Sequence, residues 1–149
     1  MKEIWTEIEI NAPVSVVWNV LTDFLNYARW NPFIRRGTGT ATVGSRLEFL
    51  IQPLGSNGIV FRPMVTRATV NEELRWVGHY RLPGLFDGEH VFLLGEIEQH
   101  RTRVVHRERL SGLLVPFLWK QYGKATERGF SAMNSALKEQ VELVQKHKT

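Results

Sequence analysis

His106 and Glu108 stand two residues apart in a segment, 102 to 111, whose side chains alternate as in a β-strand, and His90 lies in the segment before it. An imidazole and a carboxyl held together can pass protons to and from a substrate or orient a bound polar group. The alternation decides which way they point. One face of the segment reads Arg103, Val105, Arg107 and Arg109, and the other Val104, His106, Glu108 and Leu110. Burying three unpaired arginines would cost several kcal/mol each, so the arginine face is the solvent face and His106 and Glu108 point inward. The preceding segment, 87 to 98, divides into Glu89, Val91, Leu93 and Gly95 or His90, Phe92, Leu94 and Glu96. Periodicity does not choose between these sets. A three-residue loop, Gln99 to Arg101, aligns His90, Phe92 and Leu94 with Leu110, Glu108 and His106, whereas a two-residue loop turns the strand over.

Other chemistries are less well served. His90, His106 and Glu108 are the residue types of a two-histidine, one-carboxylate iron site. However, His106 and Glu108 are spaced about 6 to 7 Å apart along one strand, so no metal is expected. There is no cysteine, which removes disulfide scaffolds, thiolate zinc sites and cysteine nucleophiles together. No serine sits in a Gly-x-Ser-x-Gly turn. No Gly-rich phosphate loop is present, and no cofactor is expected.

The elements that must position these residues follow in a clear order. Residues 3 to 11 alternate as a strand, and Pro13 suits the first turn of a helix because its missing N–H would be unpaired there anyway. Val16, Val17, Val20 and Leu21 give that helix one apolar face. Thr22 and Asp23 can cap a second short helix holding Phe24, Leu25, Tyr27 and Ala28, which Pro32 stops. Strand patterns then cover 34 to 42, 45 to 52, 59 to 70, 73 to 81, 87 to 98 and 102 to 111. Gly44, Gly55-Ser56-Asn57-Gly58, Asn71-Glu72-Glu73 and Leu82-Pro83-Gly84 separate them at hairpin spacing, which implies an antiparallel meander. From about Pro116, apolar or small residues recur at helical spacing through Leu118, Tyr122, Ala125, Gly129, Met133, Leu137, Val141 and Val144. About thirty residues at 1.5 Å rise make a helix roughly 45 Å long, enough to lie across a whole sheet.

At 149 residues the chain has the size of one domain, and no repeat, linker or low-complexity stretch divides it. The amino terminus enters strand pattern directly, and no run approaches the length of a membrane span. A cytoplasmic protein, monomeric or homodimeric, is expected. Lys and Arg number 19 against 15 Asp and Glu, but the basic residues are scattered, and no nucleic-acid partner is expected.

Several short stretches, in this order, carry a resemblance. They are Ala12-Pro13 with Val17-Trp18, Asp23 with Tyr27, Trp30-Asn31-Pro32, Trp76-Val77-Gly78, Gly88 to Phe92, His106-Arg107-Glu108, Ser111 to Leu114, and Gly129-Phe130 with Met133-Asn134 and Ala136-Leu137-Lys138. Together they resemble the START-like (SRPBCC) superfamily over nearly the whole chain, most of all its bacterial polyketide cyclase/dehydrase-like members. The resemblance implies an α+β helix-grip fold: a seven-stranded antiparallel sheet curved around a long C-terminal helix, with two short helices after the first strand. It implies an apolar cavity between sheet and helix, with His90 and Phe92 facing inward. In the three-residue-loop register, His90 and Glu108 then lie diagonally across neighbouring strands, within reach of a hydrogen bond or one bridging water.

Phe49, Trp76, Tyr80, Phe92, Tyr122, Phe130 and Met133, with Leu47 and Ile51, are expected to form the wall around His90, His106 and Glu108. Gly78 and Gly129 either leave room in the interior or permit close packing. Enclosure would raise the carboxyl pKa and lower that of the histidine unless the two pair. The expected function is binding of a small hydrophobic molecule, lipid-like, aromatic or polyketide-like. One alternative is a cyclase or dehydratase using His90 or Glu108 as acid or base. Another is a protein-interaction module of the chaperone-activator or toxin–antitoxin type, presenting Leu82 to Phe86 and Leu113 to Phe117.

Overall fold

A computed structural model of the chain describes residues 1–52 and 57–148. Strand β1 (Lys2–Ile10) leads into helix α1 (Val14–Thr22), a 3-10 turn (Phe24–Asn26) and the short helix α2 (Tyr27–Trp30). Among the described residues eight strands follow the α+β plan: β2 (Ile34–Thr38), β3 (Glu48–Ile51), β4 (Ile59–Phe61), β5 (Met64–Thr69), β6 (Glu73–His79), β7 (Asp87–Glu98) and β8 (Arg101–Ser111) complete the set begun by β1. Helix α3 (Val115–Lys148) closes the chain. Its 34 residues make it about 51 Å long.

The strands form two antiparallel sheets, not one sheet of seven. Five stand in the order β1-β8-β7-β6-β5, and three in the order β2-β3-β4. The expected strand 59 to 70 breaks at Arg62-Pro63, because Pro63 has no N–H to give a ladder. Its carbonyl accepts from Leu47 N–H instead, at 2.9 Å. Residues before the break pair with β3 and those after it with β6, so the chain changes sheets at the proline. The strand expected over 34 to 42 stops at Thr38, where Gly39 turns to φ 106°. That expected over 45 to 52 shortens to Glu48–Ile51, with Arg46 making an isolated bridge to Met64. Of the expected turn Gly55 to Gly58, Gly55 and Ser56 lie outside the described residues.

Trp30-Asn31-Pro32 ends α2 by a local device. The buried Asn31 Oδ1 accepts from Phe33 N–H and Ile34 N–H, both at 2.9 Å, and turns the chain into β2. The outer face of the large sheet carries the arginines. Arg103 meets Glu7 at 3.9 Å, and Arg107 and Arg109 meet Glu3 at 3.8 and 3.4 Å. Surface pairs of this kind contribute little each, about 0 to 1 kcal/mol, but they set which face of β8 looks outward.

The inner face packs on α3. Phe130, Met133, Asn134, Leu137 and Val141 are buried at helical spacing along one side of that helix. Asn134 is the polar member of this apolar stripe. Two glycines serve close packing. A Cβ on Gly78 would fall 2.0 Å from the Phe61 ring, and one on Gly129 would fall 2.3 Å from the Phe33 ring. Both spaces are filled by aromatic rings.

Candidate functional site

A cavity of about 580 Å³ lies between the large sheet, the strip β2–β4 and the first half of α3. Trp76 and Tyr80 reach it from β6 and just beyond, His90 from β7, Glu108 and Leu110 from β8, and Tyr122 from the helix. The rest of its wall is largely apolar, including Phe33, Ile51, Phe61, Phe86 and Leu118.

Six of the expected site residues do not reach this space: Leu47, Phe49, Phe92, His106, Phe130 and Met133 are buried behind it. The reason is mutual packing. Phe49 lies 4.9 Å from Trp76 between ring centroids, Phe92 lies 4.3 Å from His106, and Phe130 stacks on His106 at 4.1 Å. Rings satisfied on every side form a core floor, and only those at its edge border the cavity. Alternation assigns a residue to a face but says nothing of depth on that face.

The β7–β8 register differs from expectation. The turn has two residues, Gln99 and His100, with His100 at φ 64°, and a bulge between Glu96 and Glu98 shifts the pairing again. One extra residue in the ladder undoes the flip of a two-residue turn, so His90 still faces inward. Its partner moves by two residues: His90 stands directly opposite Glu108, and Phe92 opposite His106. Gly88 makes room for the acid, since a Cβ there would fall 2.6 Å from Glu108 Oε1.

A buried chain of polar groups runs away from Glu108. His90 Nε2 lies 2.6 Å from His106 Nε2, His106 Nδ1 lies 2.7 Å from Asn134 Oδ1, and Asn134 Nδ2 donates to Thr6 Oγ1 at 2.8 Å. The Thr6 hydroxyl donates to the His106 carbonyl at 2.7 Å. Asn134 and Thr6 were not among the expected site residues. The available signal was Asn134 itself, a polar side chain at a core position of the helix stripe, where an unpaired amide would be costly.

Burial governs the protonation of this group. It pushes the Glu108 carboxyl up to about 8 and the His90 imidazole down to about 3. His106 is lowered as well, by burial first and by His90 next, with the Asn134 hydrogen bond opposing. The carboxyl and His90 therefore do not form an ion pair at neutral pH. His90 Nδ1 and Glu108 Oε2 are 3.6 Å apart, longer than a hydrogen bond. Among the described residues, no group of His, Asp and Glu is arranged to hold a metal ion.

Near the cavity, the two loops that were expected to present apolar side chains are joined. Leu113 N–H donates to Gly84 O at 3.0 Å and Leu114 N–H to Leu85 O at 2.9 Å. Leu82, Leu113 and Phe117 are exposed there, while Phe86 turns into the cavity. Among the described residues, no helix is long and apolar enough to cross a membrane.

Antiparallel sheets wrapped on a long C-terminal helix, with a cavity between, define a START/SRPBCC-like helix-grip protein. The chain belongs to the polyketide cyclase/dehydrase and lipid transport family, whose model matches residues 1–142. No curated protein matches the sequence. Among solved structures, it is similar to a START superfamily protein from Mycobacterium smegmatis, with 21% identity, a TM-score of 0.73, and coverage of 95% of this chain and 98% of that one. The hypothetical protein jhp0584 from Helicobacter pylori aligns at 17% identity and TM-score 0.78, covering 94% of this chain and 88% of that one. The Zhui aromatase/cyclase from Streptomyces sp. R1128 aligns at 16% identity and TM-score 0.76, covering 95% and 93%. At these identities the likeness is one of fold, while membership of the family supports a ligand-binding or cyclase-type role.

Proposed function

We propose that this protein binds a small hydrophobic molecule, lipid-like, aromatic or polyketide-like, in the cavity between sheet and helix, as a carrier or sensor. The observation that carries the reading is the cavity itself: about 580 Å³ of mostly apolar wall with one carboxyl and one imidazole at its inner edge. Pockets of roughly 300 to 1,000 Å³ with few convergent polar groups suit drug-sized ligands. A hydrophobic fluorescent probe is expected to bind with saturation. Ala125→Trp, which places an indole in the cavity from the helix side, should weaken that binding by roughly tenfold or more, about 1.4 kcal/mol, with the fold retained. Unsaturable binding, or equal binding by the filled variant, would overturn the proposal.

The His90–Glu108 arrangement also favours a second reading. At neutral pH the acid has a proton to give to a ketone oxygen, and His90 Nδ1 has a lone pair to take the α-proton in the same step, the carboxylate left on Glu108 offsetting the imidazolium charge that burial otherwise opposes. An aromatic 1,3-diketone would then exchange its α-protons with solvent deuterium in the presence of the protein. Glu108→Gln should slow that exchange by about 10²-fold or more while changing affinity only slightly. Parallel losses in exchange and affinity would leave binding alone.

A further inference from the structure

The buried polar chain has a direction that its own chemistry dictates. Thr6 Oγ1 gives its proton to the His106 carbonyl, so toward Asn134 it can only accept. The Asn134 amide must therefore turn its NH2 to Thr6 and its oxygen to His106. A carbonyl oxygen only accepts, so His106 carries its proton on Nδ1 and, being neutral, offers a bare Nε2. His90 must then donate from Nε2, which leaves the lone pair of its Nδ1 facing Glu108. A carboxylate facing that lone pair would be repelled, whereas a carboxylic acid would not.

The surroundings add no opposite charge. His90 on β7 and His106 on β8 face Glu108 as neutral rings, Ile4 stands opposite on β1, and Gln121 and Tyr122 border the cavity from α3. No lysine or arginine lines the cavity among the described residues. Residues 53–56, which lie outside them, are Pro-Leu-Gly-Ser and carry no charge. Lys2, at the end of the inward face of β1, has its ammonium 5.7 Å from the Trp119 ring centroid.

We infer that the cavity takes an uncharged ligand through a carbonyl oxygen, to which Glu108 donates, and rejects the carboxylate form of the same skeleton. Asn134, which does not border the cavity, is the positioning residue that enforces the choice. It rests on the binding reading above and narrows it to neutral carbonyl compounds, excluding free fatty-acid anions. A ligand carboxylate would enter a space with no counter-charge and meet an acid already short of solvent. A ketone or ester oxygen would take the Glu108 proton, which is not committed to His90 because Oε2 and Nδ1 are 3.6 Å apart.

The test uses two fluorescent probes of one skeleton, 4-(1-pyrenyl)butyrate and its methyl ester, titrated against the full chain at neutral pH. The ester is expected to bind roughly tenfold more tightly or better. Its affinity should fall as pH rises past about 8, where Glu108 ionises, and Glu108→Gln, which keeps an uncharged donor, should remove that fall. Asn134→Asp tests the direction of the chain: its charge favours a doubly protonated His106, which would donate from Nε2 and force the His90 proton to Nδ1. Long-range proton–nitrogen NMR of the imidazoles should then show His90 as the Nε2–H form in the wild type and the Nδ1–H form in the variant, together with weaker ester binding. Butyrate binding equal to or tighter than the ester overturns the inference and leaves the binding reading standing. Failure of both probes to bind overturns the two together. An unchanged His90 tautomer in a folded Asn134→Asp overturns the positioning role.

Discussion

Trp76→Ala is expected to destabilise the protein by about 3 to 5 kcal/mol, among the largest losses that a single core truncation causes. Trp76 is 1% exposed, and its ring lies 4.7 Å from His90, 4.9 Å from Phe49 and 5.6 Å from Phe92, centroid to centroid. Its removal forfeits the transfer of an indole from water and leaves a void that backbone pairing on both sides of β6 prevents from collapsing. The void would also open into the cavity that Trp76 borders, bringing solvent to the face of His90. Urea unfolding of the two proteins would measure the loss. Tyr122→Ala is the contrast: this residue borders the same cavity but is 40% exposed, and it should cost about 1 kcal/mol or less. Similar losses in the two variants would mean that Trp76 does not anchor the core at the edge of the cavity.

The stability of the wild type should fall between about pH 6.5 and pH 8, and Glu108→Gln should abolish that part of the fall. The Glu108 carboxyl has an ordinary value of 4.5 and is raised to about 8 in the folded protein. Above pH 4.5 the unfolded chain loses this proton while the native state keeps it, so stability present at low pH is lost as pH rises to 8. His90 works in the opposite sense. Its ordinary value of 6.5 is lowered to about 3, so the unfolded chain gains a proton below pH 6.5 that the native state refuses, and stability drains away on acidification. His106, also lowered, adds to this acid limb. Between the two ordinary values the effects oppose, and above pH 6.5 only the carboxyl continues. At about 1.4 kcal/mol per unit, that limb amounts to about 2 kcal/mol between pH 6.5 and pH 8. The carboxyl is 17% accessible, so little of this is screened away. The difference between wild-type and Glu108→Gln unfolding free energies, followed across this range, isolates the one group. Parallel curves would show that Glu108 is ionised in the native protein.

The order of elements, the long helix and the face of β8 that carries His106 and Glu108 were all legible in the residues alone. These follow from local quantities: period-two and helical spacing, a proline where an unpaired N–H costs nothing, and three arginines too costly to bury. Pro63 was equally legible as a residue without a donor, yet the expected strand ran through it. What the break did to the architecture depends on which strands were waiting on either side. The rest depended on how distant segments pack. A bulge near Ile97 brought His90 opposite Glu108, and no pattern of period two can report a shift of two residues. The depth of packing put Phe49, Phe92, His106, Phe130 and Met133 behind the cavity wall, because depth depends on what other elements bring to the same face. Above all, the meeting of Asn134 with His106 and Thr6 joins residues 28 and 128 positions apart. Only the packing of α3 across β8 and β1 brings them within hydrogen-bonding distance and gives the acid at the cavity its direction.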